Sequence, residues 1–299
     1  MLKKLIILPF IITLSYSQLK DLQTQSLKSL RNIVENASRA NQKVWLEDFT
    51  GIDWTFCPNA SFAIDSLIQD FPGVLNTIEW HSPNYTPNSG EGSDLATVGL
   101  GCSDETLEEG IVYFNRANLY GVGGIPHLQW NGVDEIVGAG SPWWDRYDDY
   151  YPLVVDYSNQ QTPYDIEITG AYISGDPSVP YEITVTQGGG SPGENMALEI
   201  VVAEDSIYSF WSSPSVYHYT RNVSRNYLTY HDECKNILEL SNGESQTFSG
   251  SFEISGTWVG DNLKIIAFIQ DLDTYEVYQS EIASISRDLD PDVDGDGIP

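Results

Sequence analysis

The sequence predicts an α/β unit followed by an all-β sandwich, and three stretches carry that prediction. In 44–58, VWLEDFTGIDWTFCP, a strand signal at Val44, Leu46 and Phe49 stops at Gly51. Cys57-Pro58 then opens a run with Phe62, Ile64, Leu67, Ile68 and Phe71 near helical spacing. In 121–132, GVGGIPHLQWNG, a glycine-rich approach and an Ile-Pro pair precede a short strand that ends in Asn131-Gly132. From 165 to 285, strand-like runs rich in Ile, Val, Tyr and Thr are divided by turn signals, as in two packed sheets. At 299 residues the chain is long enough for two domains with separate cores.

The first element is an export signal. Lys3 and Lys4 precede an apolar core from Leu5 to Leu14, with small residues Ser15 and Ser17 at the expected cut, so 1–17 reads as a cleavable secretory signal. The apolar core is short for a membrane span, and no other stretch is long and apolar enough, so no transmembrane segment is expected after cleavage. The expected cut carries no cysteine, which argues against a lipid anchor. Export permits disulfides, and the three cysteines Cys57, Cys102 and Cys234 allow one bridge and one remaining thiol.

Residues 20–42 are polar, with Leu22, Leu27, Leu30, Ile33 and Val34 near helical spacing, and predict a surface helix before the first strand. After the cysteine helix, 76–81 (NTIEWH) reads as a second strand, followed by a Gly/Ser/Pro/Asn-rich insertion over 82–101. Residues 105–119 read as a helix with Ser103 as cap and acidic residues in the first turn. Asn131-Gly132 predicts a tight hairpin into 133–137, and a helix follows around 143–151.

This order of elements is thioredoxin-like, over 18–157 with its leading helix, and Pro126 is the candidate cis proline facing the cysteine. In thiol-disulfide enzymes the strand-to-helix junction holds C-x-x-C. The helix start favours a thiolate there, and the second sulfur resolves the mixed disulfide. Here Trp54 stands three residues before Cys57, so the pair is broken and catalysis by a dithiol is not expected. The alternative is an oxidoreductase or isomerase that uses Cys57 as a lone nucleophile beside Pro126. In a thioredoxin-like sheet the strands ending at Phe49 and His81 run parallel, so the loops after both leave one sheet edge. A Cys57–Cys102 disulfide is therefore expected.

The second half reads as an immunoglobulin-like β-sandwich over 163–286, with strands at 165–175, 181–187, 196–208, 247–255, 263–273 and 276–285. Tyr181, Ile183 and Val185 alternate, 188–193 (GGGSPG) is a hairpin tip, and 158–162 (SNQQT) is the domain boundary. The connection 209–243, which holds Cys234, has no readable element.

Forty-three acidic against fourteen basic residues leave a formal charge of -29, which excludes nucleic acid and anionic membrane surfaces as partners. No G-x-S-x-G, H-E-x-x-H or phosphate-cradling glycine loop is present. His81 and His127 are placed near the cysteine end as a pair that could hold a metal, although no ligand motif accompanies them. Trp143, Trp144, Tyr147, Tyr150 and Tyr151 could stack on sugar rings or pack at an interface. In the acidic stretch 287–299, Asp292, Asp294 and Asp296 alternate before Gly297, the start of an oxygen-ligand calcium loop with the Ile298 carbonyl as a further ligand. That start resembles the opening of a thrombospondin type 3 repeat, cut short before its closing carboxylate, so weak calcium binding is expected.

The phrases LEDFTG, IDWTFCP, EWHSPNY and GIPHLQWNG resemble the thioredoxin-like half of the outer-membrane-protein-28-related family of Bacteroidetes-type bacteria. The closing segment 258–285 and VYHYTRN at 216–222 resemble the same family's second half, so the likeness spans 44–285. It implies an exported protein at the outer-membrane surface, in the periplasm or outside the cell. Trp54 departs from relatives that carry both sulfurs. The expected function is a non-catalytic interaction or structural module that meets a protein or glycan at the cell surface. Thiol-disulfide chemistry at Cys57 and carbohydrate binding by the Trp/Tyr segment are the alternatives.

Overall fold

The computed structural model describes residues 40–87, 95, 110–173, 176–190, 193–211 and 215–288. The expected leading helix, Cys102 and the calcium loop at Asp292, Asp294, Asp296 and Ile298 lie outside the described residues. The first half runs β1 (Ala40–Asn41), β2 (Val44–Thr50), α1 (Cys57–Asp70), β3 (Leu75–His81), α2 (Ile111–Leu119), β4 (His127–Trp130), β5 (Asp134–Val137) and α3 (Trp143–Ser158). The second runs β6 (Gln161–Thr162), β7 (Tyr164–Ile173), β8 (Ser178–Gln187), β9 (Met196–Glu204), β10 (Ile207–Trp211), β11 (Val216–Thr220) and β12 (Val223–Tyr227). It closes with β13 (Asn236–Ile237), β14 (Ser245–Glu253), β15 (Leu263–Asp271), β16 (Val277–Ser284) and β17 (Ser286–Asp288). Among the described residues no helix is long and apolar enough to cross a membrane.

The period-2 pattern of β2 sets the layers. Val44 and Leu46 point into a core shared with α1, α3 and Trp130, while Trp45 and Phe49 point to the opposite face, under α2. α1 begins with Pro58 in its first turn, where a missing N–H is harmless, and buries Ala60, Ala63, Ile64 and Leu67. β2 pairs with β3 in parallel and with β4 antiparallel, and β4 turns into β5 through Asn131 and Gly132, both at positive φ.

The two halves are one sheet. Nine strands join in the order β16-β15-β9-β12-β3-β2-β4-β5, with β13 also on β9. The seam is the parallel pairing of Val223 with Glu79, reinforced by the Glu79 N–H donating to the Asn222 carbonyl at 3.1 Å. A bare β3 edge would be a row of open hydrogen-bonding groups, and β12 covers it. β9 is buried along its whole length because both its faces are covered. Leu198, Ile200 and Val202 face the sandwich core, and Val201 and Ala203 face the core under α2. A second sheet, β14-β8-β7-β17, completes the sandwich.

The core under α2 draws Trp45, Ile78 and Trp80 from the first half and Val201, Ile266 and Phe268 from the second, so beside the core of each half a third core is shared between them. The Trp45 and Phe268 rings stack at 4.6 Å, a contact that contributes about 0.5–1.5 kcal/mol beyond area burial. Several expected boundaries shift. The strand expected over 196–208 is β9 and β10, separated at Ser206, where φ is 59°. The unreadable connection 209–243 holds β11, β12 and β13, and the helix expected at 143–151 continues to Ser158.

Candidate functional site

Cys57 opens α1, and its neighbours are Ile52, Leu95, Trp211 and Val223. The side chain is 0% exposed. Burial pushes its thiol pKa far up, and the carboxyl groups of Asp48 and Glu79 push the same way. A nucleophile needs the thiolate, and this environment holds the thiol protonated. Cys57 is a free cysteine, whereas Cys234 is disulfide-bonded. The expected Cys57–Cys102 bond is therefore corrected. The reason is physical: Cys57 packs in a closed cluster with Ile52, Leu95, Trp211 and Val223.

Under α1 lies a set of acids that the sequence reading passed over. Asp48 and Glu79 are register partners on β2 and β3 and face the helix together. Asp48 is 1% exposed, and among the described residues neither of its carboxylate oxygens has a hydrogen-bond partner. Burial, then the Glu79 charge, raises its pKa well above the ordinary carboxylate range. Burial lifts Glu79 to about 8, although the Arg221 N–H donates to it at 3.1 Å. On α1, Asp65 is pushed up to about 7, again by burial first, with Arg221 at 3.6 Å and His218 at 3.5 Å. One signal was available: Glu47-Asp48 sits inside a strand whose apolar neighbours mark it as buried, so these acids had to be paired or protonated.

The expected histidine pair is not brought together. His81 shares the helix-facing register of Thr50, lies 2.9 Å from Glu79 and packs on Trp211. His127 pairs with Phe49 and packs edge-on against it, on the other face of the sheet. Among the described residues no group of three His, Cys, Asp or Glu side chains could hold a metal ion.

The Ile125–Pro126 peptide is cis, and Ile125 packs on the Cys57 cluster. Outside this plug the surface is aromatic. Trp54 is 36% exposed, with its ring 4.9 Å from that of Tyr85. A groove of about 460 Å³ runs between Trp54, Tyr85, Tyr113, Phe114, Val122 and Ile125, with no charged side chain among the described residues of its wall. Gly51 makes the approach possible, because a Cβ there would lie 2.6 Å from the Tyr85 Cβ. Chemically this end offers ring faces over a floor in which the Cys57 thiol is closed off.

The fold is similar to that of HBP35 of Porphyromonas gingivalis. The match covers 85% of this chain and 79% of HBP35, with a TM-score of 0.60 at 13% sequence identity, a likeness of fold alone. A domain of the outer membrane lipoprotein Omp28 from Porphyromonas gingivalis overlaps 42% of this chain and 90% of its own, with a TM-score of 0.31 and 15% identity. No family model matches the chain, and no curated protein matches it.

Proposed function

We propose that the protein is an exported, non-catalytic binding module whose first half is a thioredoxin-like unit with its redox centre replaced by an aromatic groove. The observation that carries this reading is Cys57 at 0% exposure beneath a surface where Trp54 stands in the place of the partner sulfur. The strand order β3-β2-β4-β5, the helix opening at Cys57 and the cis peptide before Pro126 support the thioredoxin-like reading. The signal pattern at 1–17 and a disulfide at Cys234 favour an oxidising compartment: the periplasm, the outer-membrane surface or the medium. The partner is a protein or glycan at the cell surface. On spacing alone, Asp292, Asp294, Asp296 and Ile298 are proposed as a weak calcium loop, tested by calcium calorimetry of the chain against Asp294→Asn.

An insulin-reduction assay with the full chain and its Cys57→Ser variant tests the central point. The expected result is no turnover by either. Turnover that disappears in Cys57→Ser would replace this reading with single-cysteine catalysis.

A further inference from the structure

α3 buries Tyr150, Val154 and Tyr157 against β2, β4 and α1, and the helix face beside that stripe, next to Asp70 and Phe71, is partly open to solvent. On that face Trp144 is 56% and Tyr151 42% exposed. Trp144, Tyr147, Asp148 and Tyr151 follow at spacings of three and four and so share one side of the helix. The Tyr147 and Tyr151 rings are 5.8 Å apart, and Phe71, just past the end of α1, adds a ring 5.3 Å from Tyr151. The strip is aromatic rather than aliphatic, and it lies across two elements.

Its charge is one-sided. Asp70 and Asp148 border the rings, and Arg146, the one cation of α3, pairs with Asp149 at 2.8 Å. Among the described residues, Asp70, Asp145 and Asp148 have no cationic partner. The Tyr147 hydroxyl donates to Asp70 at 2.6 Å, and that bond raises the phenol to about 12.

Ring faces attract cations through their quadrupole, and carboxylates accept the N–H groups of the same cation. A planar guanidinium satisfies both better than an ammonium, because it stacks on the ring and presents its donors at the edge. The chain's charge of -29 draws such a ligand in and repels an anionic one. From Trp144 to Tyr151 the helix advances about 10 Å, too far for one guanidinium but matched by arginines two or three residues apart on an extended chain. We propose that this strip docks an arginine-rich peptide segment of a partner protein. It is separate from the groove at Trp54, so it stands or falls independently of the binding-module reading.

Calorimetric titration of the full chain with an Arg-Gly repeat peptide tests the proposal, with a Gln-Gly repeat and laminarin, a neutral glucan, as the other probes. Three proteins are compared: wild type, Trp144→Ala/Tyr151→Ala, and a charge control, Glu239→Gln/Glu253→Gln, at exposed acids elsewhere. Both ring positions are exposed, and circular dichroism checks that the fold is kept. The expected result is binding of the arginine peptide alone, weakened about tenfold by loss of two ring contacts and less than about twofold in the charge control. Equal weakening in the charge control, no weakening in the ring variant, or laminarin binding that depends on the rings would each overturn it.

Discussion

Arg116 grips Glu47 through two hydrogen bonds of 2.6 Å, from Nε and Nη2, inside the core that the two halves share. Glu47 lies on β2 and also accepts from Trp45 Nε1, Trp80 Nε1 and the Tyr120 hydroxyl. Arg116 comes from α2, and its Nη1 donates to Gln270 on β15. One buried ion pair therefore ties the first sheet half, the helix above it and the second half together. Its desolvation is offset only because every member has a partner.

Arg116→Met should strand Glu47 as an unpaired buried acid and lower the unfolding free energy by roughly 3–5 kcal/mol in urea melts. The double variant Arg116→Met/Glu47→Gln should recover part of that loss. A single variant within about 1 kcal/mol of wild type would show that the pair is energetically idle.

The chain should yield one thiol, seen only after unfolding. Native protein at pH 8 should resist iodoacetamide, and denatured protein should be alkylated at Cys57, because burial and the neighbouring acids hold the native thiol protonated. Peptide mapping should then recover Cys234 joined to Cys102, the remaining one of three cysteines. Rapid native labelling of Cys57 would contradict the closed site.

Stability should fall as pH rises from about 4 to about 8. Asp65 and Glu79 sit at about 7 and about 8 in the fold, above the ordinary carboxylate range near 4. Their protons are bound more tightly in the folded than in the unfolded chain. The favourable contribution is whole below the unfolded pKa and is lost as pH climbs through the folded one. Asp205, held low by hydrogen bonds from Arg221 and Lys264 against the opposing effect of burial, works the other way, and its contribution is lost only on acidification below the ordinary range. Melting temperatures across this window should decline for wild type and decline less for Glu79→Gln, and an unchanged slope in the variant would remove Glu79 from the account.

Gly132→Ala should destabilise the protein. Its φ is +73°, and an added Cβ would lie 1.9 Å from the Tyr275 carbonyl oxygen, at the turn between β15 and β16. Strain of that kind costs about 1–3 kcal/mol, and the clash adds to it. A urea midpoint equal to wild type would mean that the hairpin tip can leave Tyr275 freely.

The sequence by itself determined the local elements whose periodicity survives reading in isolation. β2 and α1 were legible because alternation and helical spacing meet at Cys57-Pro58, and Asn131-Gly132 was legible because few residue pairs accept positive φ twice. The missing partner sulfur at Trp54 was equally plain. Tertiary structure alone decided that β12 lies in the middle of the largest sheet. Its residues, VSRNY, carry no readable pattern, and they are buried because Glu204 of β9 takes the Arg225 guanidinium at 2.7 Å and the open edge of β3 takes the backbone. Partners far apart in sequence leave no periodic trace on either strand, so neither this seam nor the acid pair of Asp48 and Glu79 could be seen until the strands were side by side.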